Sequence, residues 1–319
     1  MDTTNEQISQ KWTILNLDHV CTTLSAWTGI PPERLTSGTL NKVELENLRQ
    51  KLGEQVFGQQ PAIDVAVFAI QRRFDLPELE GVHQPVWSAL FAGPSGVGKT
   101  KLAREIADHF FGDVNRYLIK VDLSEFREEH TLARLVGAPP GYVGHGSGGQ
   151  LTNALRQISS GVVLLDEVEK AHPAILTTVL LPMIGDGIIH DMNDGRSLDV
   201  SSMIVIMTSN IGTNLSGERA VGFAQEARSE EAVIRTTIQA YFPKEVLGRI
   251  DDIIIFSPLS DEAIQLIWHR EVVAFETRLA ARGDQVKIEI DAVAEAIALD
   301  RMRRAVSNEG ARAVLRFFN

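Results

Sequence analysis

The 319-residue sequence predicts an α/β fold: a parallel five-stranded sheet flanked by helices, followed by a small all-helical unit. Three observations carry this expectation. Five short, apolar, mostly β-branched segments are separated by helix-like stretches. The first of them runs straight into a glycine-rich turn of fixed spacing. Beyond Leu259 only the helical period persists. Continuous apolar strands alternating with helices are what a parallel sheet requires, because its crossover helices cover both faces.

In chain order, residues 1–41 are mixed and contain Trp27-Thr-Gly-Ile-Pro-Pro32, whose prolines break any helix. This part reads as a linker leading into the fold. "KVELENLRQKLGEQV" from Lys42 and "QPAIDVAVFAIQRRF" from Gln60 have the apolar spacing of helices. Strands are predicted at 86–92, 116–122, 161–167, 203–210 and 252–257. In the tail, Ser260-Asp-Glu-Ala marks a helix start and Gly283 a stop, and "DAVAEAIALDRMRRAV" and "EGARAVLRFFN" continue the helical pattern. The expected division is a linker at 1–41, a large α/β domain at 42–257 and a small helical lid at 258–319. That lid breaks off within a helix at Asn319, so it reads as incomplete.

Hydrophobic residues make up 44% of the chain and charged residues 23%, the balance of an ordinary globular protein. A net charge of -11 argues against nucleic acid as the main partner, since such proteins use a cationic surplus to displace counterions. No apolar run approaches the roughly 20 residues of a membrane span. The start at Met1 lacks the pattern of a signal peptide. Cys21 is the only cysteine, which excludes an intrachain disulfide and a thiolate metal cluster. The expectation is a cytoplasmic protein with no membrane partner.

Gly93-Pro94-Ser95-Gly96-Val97-Gly98-Lys99-Thr100 is a complete G-x-x-x-x-G-K-T, placed after the first strand and before a helix predicted at 101–111. Its glycines let backbone N–H groups wrap phosphates, and the helix N-terminus adds partial positive charge. Lys99 is expected at the β- and γ-phosphates, and the Thr100 hydroxyl on Mg2+. "VVLLDE" ends a buried strand in Asp166 and Glu167, two carboxylates whose burial is costly unless their charge is used. Asp166 is expected to hold Mg2+ through its water shell, and Glu167 to polarise a water for attack on the γ-phosphate. Asn210, at the end of "MIVIMTSN", either contacts the γ-phosphate or the attacking water, or simply forms a turn.

ATP and Mg2+ are the ligands inferred. "HDMNDGRSLDVSS" fails as an EF-hand, because His190, Met192 and Ser201 fall at ligand positions when Gly195 is central. Neither H-E-x-x-H nor G-x-S-x-G occurs. Gly144-His-Gly146-Ser-Gly-Gly149 matches the dinucleotide fingerprint, yet Pro139 and Pro140 break any strand before it. These glycines read instead as hinges of a mobile loop presenting Tyr142 and Val143 to a passing chain.

The P-loop, "VVLLDEVEKAHP", "MTSN", "GAPPGYVG", "GRIDDIIIFSPL" and "EGAR" occur in one order, with "AWTGIP" at 26–31 ahead of them. Together they resemble the second ATPase domain of the Clp/ClpB class of AAA+ unfoldases, from about Asp18 to Asn319. The resemblance implies a homo-hexameric ring with ATP between subunits and a polypeptide, unfolded or taken from an aggregate, threaded through the pore. It makes Asn210 similar to sensor 1, and Arg249 to an arginine finger reaching the neighbouring subunit's ATP. A helix-end arginine paired with Asp251 or Asp252 is the other reading of Arg249. Arg312 resembles sensor 2, Phe57-Gly58 the stretch beside adenine, and Tyr142-Val143 the pore loop. Val221-Gly222-Phe223 resembles the loop by which protease-linked relatives dock on a ClpP-like peptidase, with a local apolar anchor as the alternative. The chain departs from the family pattern at Gly248, where Asn is common, and at His145-Gly146, where an aromatic and acidic pair is usual. Two rival readings share the P-loop chemistry: a nucleic-acid-directed loader ATPase, and an ATP-binding assembly module inactive as a fragment.

Overall fold

Each central strand is apolar on both faces, and the two faces serve two separate cores. The computed structural model describes residues 19, 20, 22, 23, 42–75, 84–142, 144–211, 230–282, 288 and 290–316. Seven strands occur in it: β1 Trp87–Ala92, β2 Leu118–Asp122, β3 Gly161–Asp166, β4 Ile188–His190, β5 Ser197–Asp199, β6 Met203–Ser209 and β7 Asp252–Ile255. Five of them form one sheet in the order β2-β3-β6-β1-β7, every neighbouring pair parallel. This is the predicted α/β sheet.

Because successive strand residues point to opposite faces, the apolar runs split cleanly. Leu90, Val163, Leu165, Val205 and Met207 share one core, whereas Ala89, Phe91, Val162, Leu164, Ile204 and Ile206 share the other. The second core is closed by helices α1 (Lys42–Gln55), α2 (Gln60–Asp75) and α3 (Lys99–Phe111) through residues such as Leu52, Ile63 and Ile106. The first is closed by a helical run over 173–185 and by α4 (Glu230–Tyr241), with Ile234 and Ile238. A third cluster, Ile264, Ile267, Trp268, Leu299, Met302 and Val314, joins α5 (Asp261–Ala281), α6 (Ala292–Glu309) and α7 (Arg312–Leu315).

The register brings the chemistry to one edge. Asp122 pairs with Asp166, Leu165 with Met207, and Ala92 with both Ser209 and Ile255. Hence Gly93, Asp166 and Asn210 all emerge at the carboxyl edge of the sheet, where open α/β folds bind ligands.

Several boundaries differ from the expectation. Arg116 and Tyr117 belong to a helical turn, Val114–Tyr117, because the Asp113 carboxylate accepts hydrogen bonds from the N–H groups of Asn115 and Arg116. Strand β2 therefore starts only at Leu118. Strand β3 ends at Asp166, β6 at Ser209 and β7 at Ile255, while α3 starts at Lys99 rather than 101. The polar stretch after Ile188 forms an antiparallel hairpin, β4 with β5, that the sequence did not announce. Its turn is held by Arg156, which bonds Asp191 at 2.8 Å and Asp194 at 2.7 Å. Among the described residues, no helix is long and apolar enough to cross a membrane.

Candidate functional site

The turn after β1 converges on Lys99. This side chain is only 6% exposed. Its ammonium donates to the Gly93 carbonyl at 2.7 Å, the Pro94 carbonyl at 2.6 Å and Asn210 Oδ1 at 2.9 Å. Burial pushes its pKa down to about 8, with nearby Arg312 acting in the same direction, against the pull of Glu169, Asp166 and Glu167. Next along α3, the Thr100 hydroxyl donates to Asp166 Oδ1 at 3.2 Å. Asp166 also accepts from the Thr208 hydroxyl and from Lys120 Nζ, the latter at 2.8 Å. Burial works to raise the Asp166 pKa, but Lys120, Thr208 and Thr100 outweigh it and hold the carboxyl below its ordinary range.

Glu167 leaves the strand through a left-handed turn, with φ 59° and ψ 49°. Among the described residues it alone is non-glycine with positive φ. Such a conformation costs on the order of 1–3 kcal/mol and persists only where its surroundings fix it. Here the Glu167 N–H donates to Thr208 Oγ1 at 3.1 Å, which bends the chain out of the sheet. The carboxylate then meets Lys170 and receives a long contact of 3.5 Å from Asn210 Nδ2.

These groups line one cavity of about 320 Å³. Lys120, Asp166, Glu167, Thr208 and Asn210 form a charged end, Ser95 to Thr100 the middle, and Val56, Phe57, Leu259 and Ile267 an apolar end. At that apolar end the Arg270 guanidinium sits 5.0 Å from the Phe57 ring centroid and donates to the Gln55 carbonyl at 2.9 Å. The helical tail closes over the P-loop. The Ala311 N–H donates to the Gly96 carbonyl at 2.8 Å, and Arg312 Nη1 to Ser95 Oγ at 3.4 Å. A charged, an intermediate and an apolar compartment in this order match the γ-phosphate, the phosphate chain and the base of a nucleotide.

Not every predicted residue is on the wall. Gly93 and Pro94 lie behind it, offering their carbonyls to Lys99. Gly58 packs against α5, where a Cβ would stand 2.7 Å from that of Ala263. Arg249 stands outside the cavity, with Nη1 3.5 Å from Asp186 Oδ1. Pairing with Asp251 or Asp252 is not what occupies it. Asp251 accepts from the Ser88 N–H and hydroxyl, both at 2.8 Å, and Asp252 from Trp87 Nε1 at 3.0 Å and Arg72 at 3.1 Å. Tyr142 is 71% exposed between Gly141 and Gly144, whose φ angles are 89° and 93°. The loop is tied down further along, where the Gly146 N–H donates to Asn193 Oδ1 of the hairpin turn at 2.6 Å. Val143, Val221, Gly222 and Phe223 lie outside the described residues. Lys120, Thr208 and Arg270 were missed. Only Lys120, a cation between the apolar Ile119 and Val121 of a predicted strand, carried a signal.

Comparison with known proteins agrees with this geometry. A family model described as AAA domain (Cdc48 subfamily) matches residues 84–253. Chaperone protein ClpB of Staphylococcus aureus (strain COL) is 40% identical over 271 residues, 85% of this chain and 30% of that protein. Chaperone protein ClpB of Streptomyces albus G is 39% identical over 281 residues, 88% of this chain and 31% of that protein. The chain thus spans about a third of the length of these curated relatives. A cryoEM reconstruction of Hsp104 in a closed state, with ATPyS and FITC casein, superposes with a TM-score of 0.77 at 34% identity. It covers 94% of this chain and 50% of that one.

Proposed function

Since the chain belongs to the AAA domain family (Cdc48 subfamily), we propose that it is the ATPase module of a protein unfoldase, spending ATP to thread polypeptides through a ring. The observation that carries this is the strained Glu167, held beside Lys99, Thr100 and Asp166 at the charged end of the cavity. Lys99 is the counter-charge for the β- and γ-phosphates, and the residues Ser95 to Thr100 line their path. Mg2+ fits the donor set, because the Thr100 hydroxyl and the ionised Asp166 carboxylate are hard oxygen ligands already 3.2 Å apart. Bound there, the ion would neutralise charge on the phosphates. Glu167 accepts the proton of the attacking water, and Asn210 fixes the γ-phosphate end. Phe57 lies at the base end, with Gly58 beside it in sequence packed on α5, and Arg312 reports from the lid.

The division at 42–257 and 258–319 follows the same reading, with the nucleotide between the two units. Arg249 serves the site of a neighbouring subunit, in a homo-hexamer by analogy with the family. Tyr142 and Val143 grip unfolded or aggregated polypeptide at the pore. A cytoplasmic location accords with the bacterial relatives. Docking to a peptidase through Val221, Gly222 and Phe223 forms no part of the proposal, because the relatives are named as ClpB chaperones.

Two substitutions test the two halves of this reading. Glu167→Gln should keep ADP affinity within about threefold while slowing phosphate release by about 100-fold or more. Tyr142→Ala should keep ATP turnover in the assembled ring and abolish unfolding of a fluorescent substrate. Undiminished turnover in the first, or normal unfolding in the second, would remove the residue from its role.

A further inference from the structure

The cations at the charged end of the cavity are each committed to a partner, and the pairing singles out Lys120. The Lys99 ammonium has three protons, and the Gly93 carbonyl, the Pro94 carbonyl and Asn210 Oδ1 take all of them. Lys170 is paired with Glu167, and Arg312 Nη1 donates to Ser95. Thr100 and Thr208, the hydroxyls on Asp166, are neutral. Among the described residues, Lys120 is therefore the one cation in contact with Asp166, its Nζ 2.8 Å from Oδ2. The Asp166 side chain is 12% exposed, and a carboxylate so far out of water needs a counter-charge. The strand supplies it by alternation: Ile119 and Val121 enter the core, and Lys120 leaves it to line the cavity.

We propose that Lys120 shares Asp166 with the metal: it neutralises and orients the carboxylate, and so sets how strongly nucleotide binding depends on Mg2+. A cation already on the carboxylate opposes a second one, because the two contend for the same oxygens and repel each other. Taking the charge away at position 120 therefore tightens the hold on the ion in the nucleotide complex. By linkage, nucleotide then gains more from Mg2+ than it does in the wild type. The attraction of Lys120 for the phosphates themselves acts with or without the ion and leaves this difference untouched. Lys120 is a positioning residue, and it tunes the metal through Asp166.

This inference rests on the reading that Thr100 and Asp166 hold Mg2+, and the experiment separates the two. The readout is the ratio of ADP affinity in Mg2+ to ADP affinity in EDTA, measured on the intact chain by fluorescence titration at constant ionic strength. It needs no turnover, and each variant is compared with itself, so a partial loss of folded protein cancels. Lys120→Met should raise the ratio about 10-fold, the size of one coupling between partly screened charges. Lys120→Gln should do the same. Lys120→Arg keeps the charge and should stay within about threefold of the wild type. In an Asp166→Asn background, Lys120→Met should raise the ratio by about threefold or less, since only direct repulsion is then relieved. A wild-type ratio near one overturns the reading of Thr100 and Asp166 as the metal site. A wild-type ratio above one that Lys120→Met and Lys120→Gln leave unchanged or lower overturns the role of Lys120. The full rise in Lys120→Arg overturns it too, by showing that charge is not what acts. So does the full rise in the Asp166→Asn background, by showing that the carboxylate is not the shared group.

Discussion

Lys99 holds its ammonium where water scarcely reaches, and this has consequences that pH can expose. Its pKa falls from 10.5 to about 8 in the folded protein, chiefly through burial. Below pH 8 the amine is charged in both folded and unfolded states, so the burial cost is fully present. Between about 8 and 10.5 the unfolded chain holds a proton that the folded one has released, and stability from this group rises with pH. The full difference is roughly 3 kcal/mol. Phosphate binding runs the other way, because it needs the charged amine. ADP affinity should therefore be level from pH 7 to 8 and then fall by up to about tenfold per unit. Titration with a fluorescent ADP across pH 7–9.5 checks this, and a level affinity to the end would contradict it. The residues of the P-loop, with Asp166 and Glu167, were legible because fixed spacing and a strand-end position carry their chemistry. Arg270 was not, since its hydrogen-bond partner Gln55 lies 215 positions away in the chain. Lys120 reaches Asp166 only through the register of β2 on β3.

At the level of elements, one junction couples the lid to the phosphates. Gly310, between α6 and α7, has φ 59° and ψ -150°, a region open in practice to glycine alone. A Cβ there would meet the Ser95 carbonyl oxygen at 2.3 Å and Gly96 backbone atoms at 2.6 and 2.7 Å. Both obstacles are main chain and cannot swing aside. Gly310→Ala should therefore lift α7, and Arg312 with it, off the P-loop. The expected result is nucleotide affinity lower by about 10-fold or more, from roughly 1–3 kcal/mol of strain. The core around Trp87 should stay intact. Calorimetric titration beside a thermal melt tests this, and wild-type affinity would show that the junction bears no strain. The strands of the sheet were readable because burial on both faces leaves uninterrupted apolar runs. Their ends were not, since side-chain caps such as Asp113 decide them locally. The five-residue π-helical stretch Leu176–Leu180 and the three-residue strands of the hairpin leave no periodicity to find.

For the whole molecule, the informative fact is which charged group the cavity lacks. Lys99, Lys120, Arg270 and Arg312 line it, whereas Arg249 stands outside, with a side chain 46% exposed and only a 3.5 Å contact to Asp186. Gly185 leaves room for this guanidinium, as a Cβ there would meet Arg249 Nη1 at 2.5 Å. An arginine so loosely held contributes little to its own fold, because exposed ion pairs are worth at most about 1 kcal/mol. It is free to serve a neighbouring copy, which a single sequence cannot display and a ring would supply. Complementation tests this directly. Arg249→Ala chains keep their own Glu167 but offer no finger, while Glu167→Gln chains offer a finger but do not hydrolyse. Each should be inactive alone in the assembled ring. Mixed in equal amounts, the two should regain about a quarter of wild-type turnover, since half the sites are hydrolysis-competent and half of those meet an intact finger. If Arg249 acted within its own chain, no mixture could combine the two functions in one site, and turnover would stay at the level of the separate variants.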